Sequence, residues 1–242
     1  MVAKKIWILS GAGLSAESGL RTFRDHDGLW EEYDVMEVCS IEGWRRDRDK
    51  VTRFYDARRA QLAHVLPNAA HYYIASLEER YPDRLINMTQ NVDDLLERAG
   101  CCHVIHLHGT LTDLRCEECG SVFHIGYAHQ EGFCCPKCGS ARVRHNVVMF
   151  GESAPAYRHL YEAMDEAGLF IAIGTSGQVI DVGSIAERVA LSVFVNPKRE
   201  EEPRWGREIG WLDERFDRFI QKKATEAIDE IEEVIREFVA NL

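Results

Sequence analysis

The sequence predicts an α/β protein, a Rossmann-like parallel sheet with helices on both faces and a small inserted zinc-binding domain. Three observations carry this expectation. Short β-rich apolar runs alternate with helix-like stretches, a pattern that favours parallel strands joined by helical crossovers. The first run, Lys5 to Ser10, leads into Gly11-Ala12-Gly13, where small residues let backbone N–H groups and a helix start approach a pyrophosphate. Between Leu111 and Arg144 the alternation breaks into Cys, Gly, Lys and Glu, too little apolar material for a core, so a metal would stand in for one.

Composition bounds the remaining classes. The chain has 242 residues, 45% of them hydrophobic and 10% aromatic, with 6 prolines. That is enough to bury a full core in one large domain carrying a small insertion, and it excludes disorder and fibrous repeats. Forty acidic residues against 29 basic ones give a net charge of -11, which argues against nucleic acid as a partner. The charge is uneven: residues 225–242 hold six acidic side chains and one basic, whereas residues 45–59 hold seven basic and three acidic. A bilayer span needs roughly 18 to 20 apolar residues; the longest candidate, Gly168 to Ile180, is shorter and contains Ser, Thr and Gln. The apolar run in Met-Val-Ala-Lys-Lys-Ile-Trp-Ile-Leu-Ser is too short for a signal peptide, so a cytoplasmic protein without a membrane partner is expected.

In chain order, strands are expected at Lys5 to Ser10, Arg84 to Thr89, His103 to Leu107, Asn146 to Phe150, Leu169 to Gly174 and Leu191 to Asn196. The dinucleotide-binding part then takes about residues 1–40, 84–110 and 146–242, a helical segment about 41–82, and the metal module about 111–145. From Glu42 to Leu66 the apolar residues Trp44, Val51, Tyr55, Leu62 and Val65 share one arc at 100° per residue. Arg58 falls in that arc, while Arg45, Arg46, Arg48 and Arg59 point away and read as solvated charges. A guanidinium on an apolar stripe requires an internal carboxylate or a ligand anion. Residues 197–215 read as a charged surface loop, and Lys222 to Val239 as a closing amphipathic helix.

Cys116-Glu-Glu-Cys119 and Cys135-Pro-Lys-Cys138, fifteen residues apart, have the two-knuckle spacing that supplies four thiolates tetrahedrally to one structural Zn2+. Cys134 competes with Cys135, but its distance to Cys138 is one residue too long for a knuckle. Cys39, Cys101 and Cys102 read as packing thiols. A zinc-ribbon module for nucleic acid is the rival reading, and the net charge opposes it. His108 ends the run His103 to Leu107 and precedes Gly109; an imidazole there can reach a ligand and abstract a proton near neutral pH. As one of ten histidines, on its own it reads more readily as a structural loop residue, and His103 and His106 read as strand residues.

Several separate motifs fall in a demanding order. They are Gly11-Ala12-Gly13-Leu14-Ser15, Leu20-Arg21-Thr22-Phe23-Arg24-Asp25, Pro67-Asn68-Ala69-Ala70-His71, Thr89-Gln90-Asn91-Val92-Asp93, His106-Leu107-His108-Gly109, the four cysteines, Val147-Val148-Met149-Phe150-Gly151-Glu152, and Gly174-Thr175-Ser176. Together they closely resemble the sirtuin family of NAD-dependent protein-lysine deacylases, over nearly all of residues 1–242. The resemblance implies NAD as co-substrate. It places Gly11, Ala12, Gly13 and Arg24 on the pyrophosphate and adjoining ribose, and Phe23 near the nicotinamide ribose. Gln90, Asn91 and Asp93 would hold the nicotinamide ribose and carboxamide, and Gly174, Thr175, Ser176, Asn196 and Ala224 the adenine side. His108 would be the general base on the ribose hydroxyls and Asn91 would orient water and ribose, releasing nicotinamide and O-acyl-ADP-ribose from an acyl-lysine protein or peptide.

Phe54-Tyr55-Asp56-Ala57-Arg58 is similar to the Tyr-x-x-Arg pair of the class III sirtuins, which accept acidic acyl groups. By that resemblance Tyr55 and Arg58 would bind the distal carboxylate of succinyl- or malonyl-lysine alongside acetyl-lysine activity. The sequence departs from the family at Pro197-Lys198, at Lys223 and at Ile180-Asp181. An ADP-ribosyltransferase or NAD glycohydrolase is the enzymatic alternative, and an NAD-sensing or zinc-ribbon binding protein the non-enzymatic one. A monomer is expected.

Overall fold

A computed structural model describes residues 4–20, 34–201 and 210–242. Phe23 and Arg24 lie outside the described residues. Nine strands are described: β1 (Lys5–Ser10), β2 (Leu85–Thr89), β3 (Val104–His106), β4 (Gly109–Cys116), β5 (Val122–His124), β6 (Val143–Val147), β7 (Ala167–Ile173), β8 (Leu191–Val195) and β9 (Arg218–Ile220). The helices described are α1 (Ala12–Ala16), α2 (Val35–Val38), α3 (Ile41–Arg46), α4 (Arg48–Leu62), α5 (Ala69–Arg80), α6 (Leu95–Arg98), α7 (Arg158–Glu166), α8 (Val182–Ala186) and α9 (Ile228–Ala240).

Period-two alternation determines how β1 sits. Ile6 and Ile8 point to one face of the sheet, into a core shared with Ile74 and Leu77 of α5 and Ile231, Val234 and Ile235 of α9. Trp7 and Leu9 point to the other, into a core shared with Leu160 and Ala163 of α7 and Ile185 of α8. Because both faces are covered, the strand is apolar throughout, as a parallel strand between two helical layers must be. The sheet order is β3-β2-β1-β7-β8-β9, with parallel pairing throughout. From β1 the chain builds outward through β2 and β3, and later returns to β7, on the other flank of β1, to build through β8 and β9. The carboxyl ends of β1 and β7 therefore flank the point where strand order reverses, which is where an open α/β sheet binds ligands.

A second sheet, β5-β4-β6, is antiparallel and packs a small core of Leu114, Cys116, Cys135 and Val143. The strand expected at Asn146 to Phe150 is corrected here. The pairing begins at Val143 and belongs to this sheet, because β6 returns along β4 rather than crossing over a helix. β9, three residues long and half-exposed, carries too weak a pattern to be read from sequence. The closing helix starts at Ile228, six residues later than its apolar pattern begins.

The segment 42–66 is two helices rather than one. Asp47 leaves the helical backbone conformation and its side chain accepts the Lys50 N–H at 2.9 Å, starting α4 afresh. A helical phase counted from Trp44 therefore does not carry into α4. Within α4 the arc of Val51, Tyr55, Arg58 and Leu62 persists, but α4 is buried on more than that face, and the expected roles of Arg58 and Arg59 change. Arg59 is 0% exposed, and Arg58 is half-buried with a contact to Gln61. α4 is buried on two sides, against the helical core and against the metal module. Arg59 meets the second: it pairs with Asp56 and donates through Nε to the Leu111 carbonyl at 2.7 Å. The carboxylate that an internal guanidinium requires is thus present, one residue along from where the sequence placed the need.

Candidate active site and zinc-binding cluster

The crevice at the reversal point is floored by backbone. Gly13 N–H donates to the Gly174 carbonyl at 2.8 Å, and Gly11 N–H to the Ile173 carbonyl at 2.9 Å. A Cβ on Gly13 would lie 2.6 Å from Gly174 Cα, and Gly174 has φ +62. No side chain fits between the two turns, which leaves their backbone open to the crevice. Thr175 is buried, and its hydroxyl accepts from Gln90 Nε2 at 3.0 Å and from the Gly177 N–H at 3.3 Å. That hydroxyl ties the turns after β2 and β7, and the Gly13–Gly174 backbone bond joins the turn after β1 to them.

Asn91 and Asp93 are held by a second hydroxyl. Ser15 donates to Asp93 Oδ2 at 2.9 Å and accepts from Asn91 Nδ2 at 3.1 Å. The Asn68 N–H donates to His71 Nδ1 at 3.2 Å, so the imidazole proton sits on Nε2, which faces Ser15 Oγ at 3.4 Å. Every hydrogen-bonding capacity of the Ser15 hydroxyl is used. Burial pushes the Asp93 carboxyl up, opposed by the Ser15 hydroxyl and the Leu95 N–H. His106 lies between the Asn91 carbonyl at 3.0 Å and the Glu97 carboxylate at 2.7 Å. Burial opposes its protonation, but Glu97, the Asn91 carbonyl and Asp93 together outweigh burial and raise its pKa. It props the Asn91 loop rather than facing the crevice.

His108 sits at the same edge, where Gly109 turns into β4 with φ +79; a Cβ there would lie 2.0 Å from the Asn146 carbonyl oxygen. Its Nδ1 faces the Gln90 carbonyl at 2.9 Å and its Nε2 the Tyr157 hydroxyl at 2.8 Å. A carbonyl can only accept, so the neutral ring carries its proton on Nδ1 and presents a lone pair on Nε2. Burial lowers its pKa, partly offset by the Gln90 carbonyl, so the ring is neutral and basic at pH 7. The structure thus brings Gln90, Asn91, Asp93, Thr175 and His108 together. Asn196 is buried nearby at the end of β8, with its amide donating to the Lys198 carbonyl at 3.0 Å and Glu200 at 3.1 Å. Ala224 is buried. Tyr55 and Arg58 lie on α4, in a different cluster from the crevice floor. Sequence reasoning assigned no role to Ser15, His71 or Tyr157. The first two lay within quoted motifs, and Tyr157 carried no pattern.

The four cysteines converge as their spacing predicts. Ligand atoms of Cys116, Cys119, Cys135 and Cys138 all lie within 4.8 Å of one another. The Cys116–Cys138 and Cys119–Cys135 sulfurs are each 3.6 Å apart. A tetrahedron with Zn–S of about 2.3 Å has edges of roughly 3.7 Å, so the set fits zinc. The two knuckles repeat one geometry: Gly120 N–H bonds to the Cys116 carbonyl and Gly139 N–H to that of Cys135. Cys134 is exposed and outside the set. With four protein ligands and no open position, such a metal is structural.

A parallel sheet with a backbone-floored crevice at its reversal point, a neutral histidine beside it and a four-thiolate module define a dinucleotide-binding α/β enzyme of two lobes. The Sir2 family pattern matches residues 11–181. The chain is 52% identical over 236 residues to an NAD-dependent protein deacylase of Campylobacter jejuni, covering 98% of this chain and 97% of that one. A Sir2 homologue solved with ADP-ribose superposes with a TM-score of 0.82 at 34% identity, covering 99% of this chain and 95% of the other. A Sir2 protein solved with a deacetylated peptide and 3′-O-acetyl ADP-ribose superposes with a TM-score of 0.75 at 26% identity, covering 96% and 94%. The chain belongs to the Sir2 family.

Proposed function

We propose that the protein is an NAD-dependent protein-lysine deacylase that accepts acetyl-lysine and, through Tyr55 and Arg58, succinyl- and malonyl-lysine, releasing nicotinamide and O-acyl-ADP-ribose. The observation that carries the reading is the meeting of Gln90, Asn91 and His108 at the reversal point of the sheet. Their hydrogen bonds leave a basic lone pair on His108. NAD, when bound, supplies the ribosyl carbon at which nicotinamide is exchanged for the acyl oxygen. The chain's own work is positional. Gly11, Ala12 and Gly13 present backbone, Gln90 and Asp93 are held to face the ribose, and Asn91 is oriented by Ser15. His108 takes a hydroxyl proton on Nε2 while the Gln90 carbonyl keeps its Nδ1 proton in place. Gly174, Thr175, Ser176, Asn196 and Ala224 form the adenine side, together with Phe23 and Arg24 for the ribose and phosphates.

The division of labour follows from the lobes: the large sheet holds NAD, the zinc cluster holds the small sheet, and acyl-lysine enters between them. Eight cysteines without a disulfide support a reducing, cytoplasmic setting, and the reading takes a monomer as the working unit. Among the described residues no helix is long and apolar enough to cross a membrane. Incubation with NAD and a panel of acetyl-, malonyl- and succinyl-lysine peptides, read by mass spectrometry, tests the proposal. O-acyl-ADP-ribose formed in step with free lysine is the expected outcome. Nicotinamide release without it would favour a glycohydrolase or ADP-ribosyltransferase, and no release at all an NAD-binding protein.

A further inference from the structure

The His108 lone pair that the proposed chemistry needs is already occupied by a second side chain. Tyr157 ends the short turn Pro155–Tyr157 that opens α7. Its ring packs against the core containing Leu160 and Ala163, and its centroid lies 5.8 Å from that of His108. Its hydroxyl is 2.8 Å from His108 Nε2. The Gln90 carbonyl fixes the ring proton on Nδ1, so Nε2 can only accept and the tyrosine O–H donates. Burial raises the Tyr157 pKa, which keeps that proton on the phenol. Packing alone would be served by an apolar ring at this position; the hydroxyl is an addition that a partly buried tyrosine satisfies through a specific partner. Both of its anchors are fixed. The Pro155–Tyr157 turn is continuous with α7, and the His108 carbonyl accepts the Val148 N–H at 2.9 Å.

We propose that Tyr157 is a positioning residue for the general base. Resting on the deacylase reading, the inference is that Tyr157 holds the Nε2 lone pair of His108 directed, on a ring whose tautomer Gln90 already sets, and gives up that lone pair to the ribose hydroxyl when substrate enters. No atom changes hands in this step: one hydrogen bond to Nε2 replaces another. The arrangement favours the neutral ring, because a phenol donates a hydrogen bond better than it accepts one.

Tyr157→Phe keeps the packing and removes the hydroxyl. In the ligand-free protein, nitrogen NMR of the His108 ring, assigned by its loss in His108→Ala, should show the Nδ1–H tautomer. In Tyr157→Phe the tautomer should persist, because the Gln90 carbonyl sets it, and the titration midpoint should rise. With NAD and acyl-peptide, deacylation should fall about three- to tenfold, the range for one hydrogen bond. Exchange of labelled nicotinamide, which precedes the base step, should stay at the native rate. A native midpoint in the variant, a deacylation rate at or above native, or equal losses in deacylation and exchange would each overturn the proposal. Absence of O-acyl product from the native protein would instead overturn the deacylase reading, and the ligand-free titration would still judge the Tyr157 contact.

Discussion

The ring of Tyr55 lies on the imidazole of His145, with centroids 3.8 Å apart and planes 21° from parallel. Trp44 meets the same imidazole edge-on at 5.5 Å. Tyr55 is thus pinned between α4 and β6, and burial with a Cys39 contact raises its pKa. It stays a neutral phenol that can donate to a carboxylate. Arg58 follows one helical turn on, where residues three apart are neighbours. If the pair reads an acidic acyl group, Arg58→Met should lower kcat/KM on succinyl-lysine peptides by about 10- to 150-fold, the equivalent of a charge-assisted hydrogen bond. Acetyl-lysine turnover should change little. Equal losses on both substrates would remove Arg58 from acyl recognition.

Removing the base tests the crevice itself. His108→Ala should abolish O-acyl-ADP-ribose formation while leaving the thermal midpoint and metal content near native. Burial lowers the His108 pKa from its ordinary 6.5, so the rate should stay flat down through that value and fall only at lower pH. An acid limb centred above 6.5 in kcat/KM would show that another group is being titrated.

Zinc content separates the neighbouring thiols. Cys135 is 2% exposed and within the cluster, whereas Cys134 is exposed and outside it. Cys135→Ser should lose bound zinc, measured by elemental analysis, and should lose hydrogen-exchange protection across β4, β5 and β6. Cys134→Ser should keep one zinc per chain and native protection. Loss of metal from Cys134→Ser with retention in Cys135→Ser would mean that the knuckle begins one residue earlier.

His71 makes stability depend on pH. Burial lowers its pKa from 6.5 to about 4, because a fully buried ring accepting from Asn68 has no room for a charge. The folded state binds fewer protons than the unfolded chain, so this contribution is complete above pH 6.5 and lost as pH falls toward 4. At about 1.4 kcal/mol per unit it amounts to roughly 3 kcal/mol. His145, whose pKa burial also lowers well below 6.5, acts in the same direction. His71→Gln should lower the thermal midpoint at pH 7.5 and make its decline between pH 6.5 and 4 shallower. A native slope in that variant would place the titration elsewhere.

Much of this was legible in the chain because the signals were local. The alternation of Ile6, Trp7, Ile8 and Leu9 determines a strand buried on both faces, and two Cys-x-x-Cys pairs determine a metal cluster whatever surrounds them. The Gln90, Asn91 and His108 loops were readable through their resemblance to a family. What escaped depends on tertiary contact. Asn146 to Phe150 is apolar enough for either sheet, and its pairing was decided by β4, over thirty residues upstream. Tyr157 acquires a role only because α7 delivers it to His108, a contact with no spacing to betray it. Arg58 and Arg59 were exchanged because a helix gripped on two sides has no single apolar arc.

Arg59 carries the strongest consequence of that exchange. Its guanidinium is fully buried, paired with Asp56, and donates to the Leu111 carbonyl at 2.7 Å and the Ala128 carbonyl at 3.3 Å. Asp56 in turn accepts the Gln130 N–H at 3.1 Å. Leu111, Ala128 and Gln130 all belong to the segment around the zinc cluster, so this one pair fastens α4 to the small lobe. Burial lowers the Arg59 pKa, opposed by Asp56; the carboxylate keeps the charge tolerable. Arg59→Met takes from Asp56 its guanidinium partner and from the Leu111 and Ala128 carbonyls the Arg59 donor, and removing one partner of a buried pair costs about 3 to 5 kcal/mol. The double variant Arg59→Met with Asp56→Leu removes both charges and should recover part of that loss in denaturant unfolding. If Arg59→Met alone costs less than about 1 kcal/mol, the pair is not what joins the helix to the module.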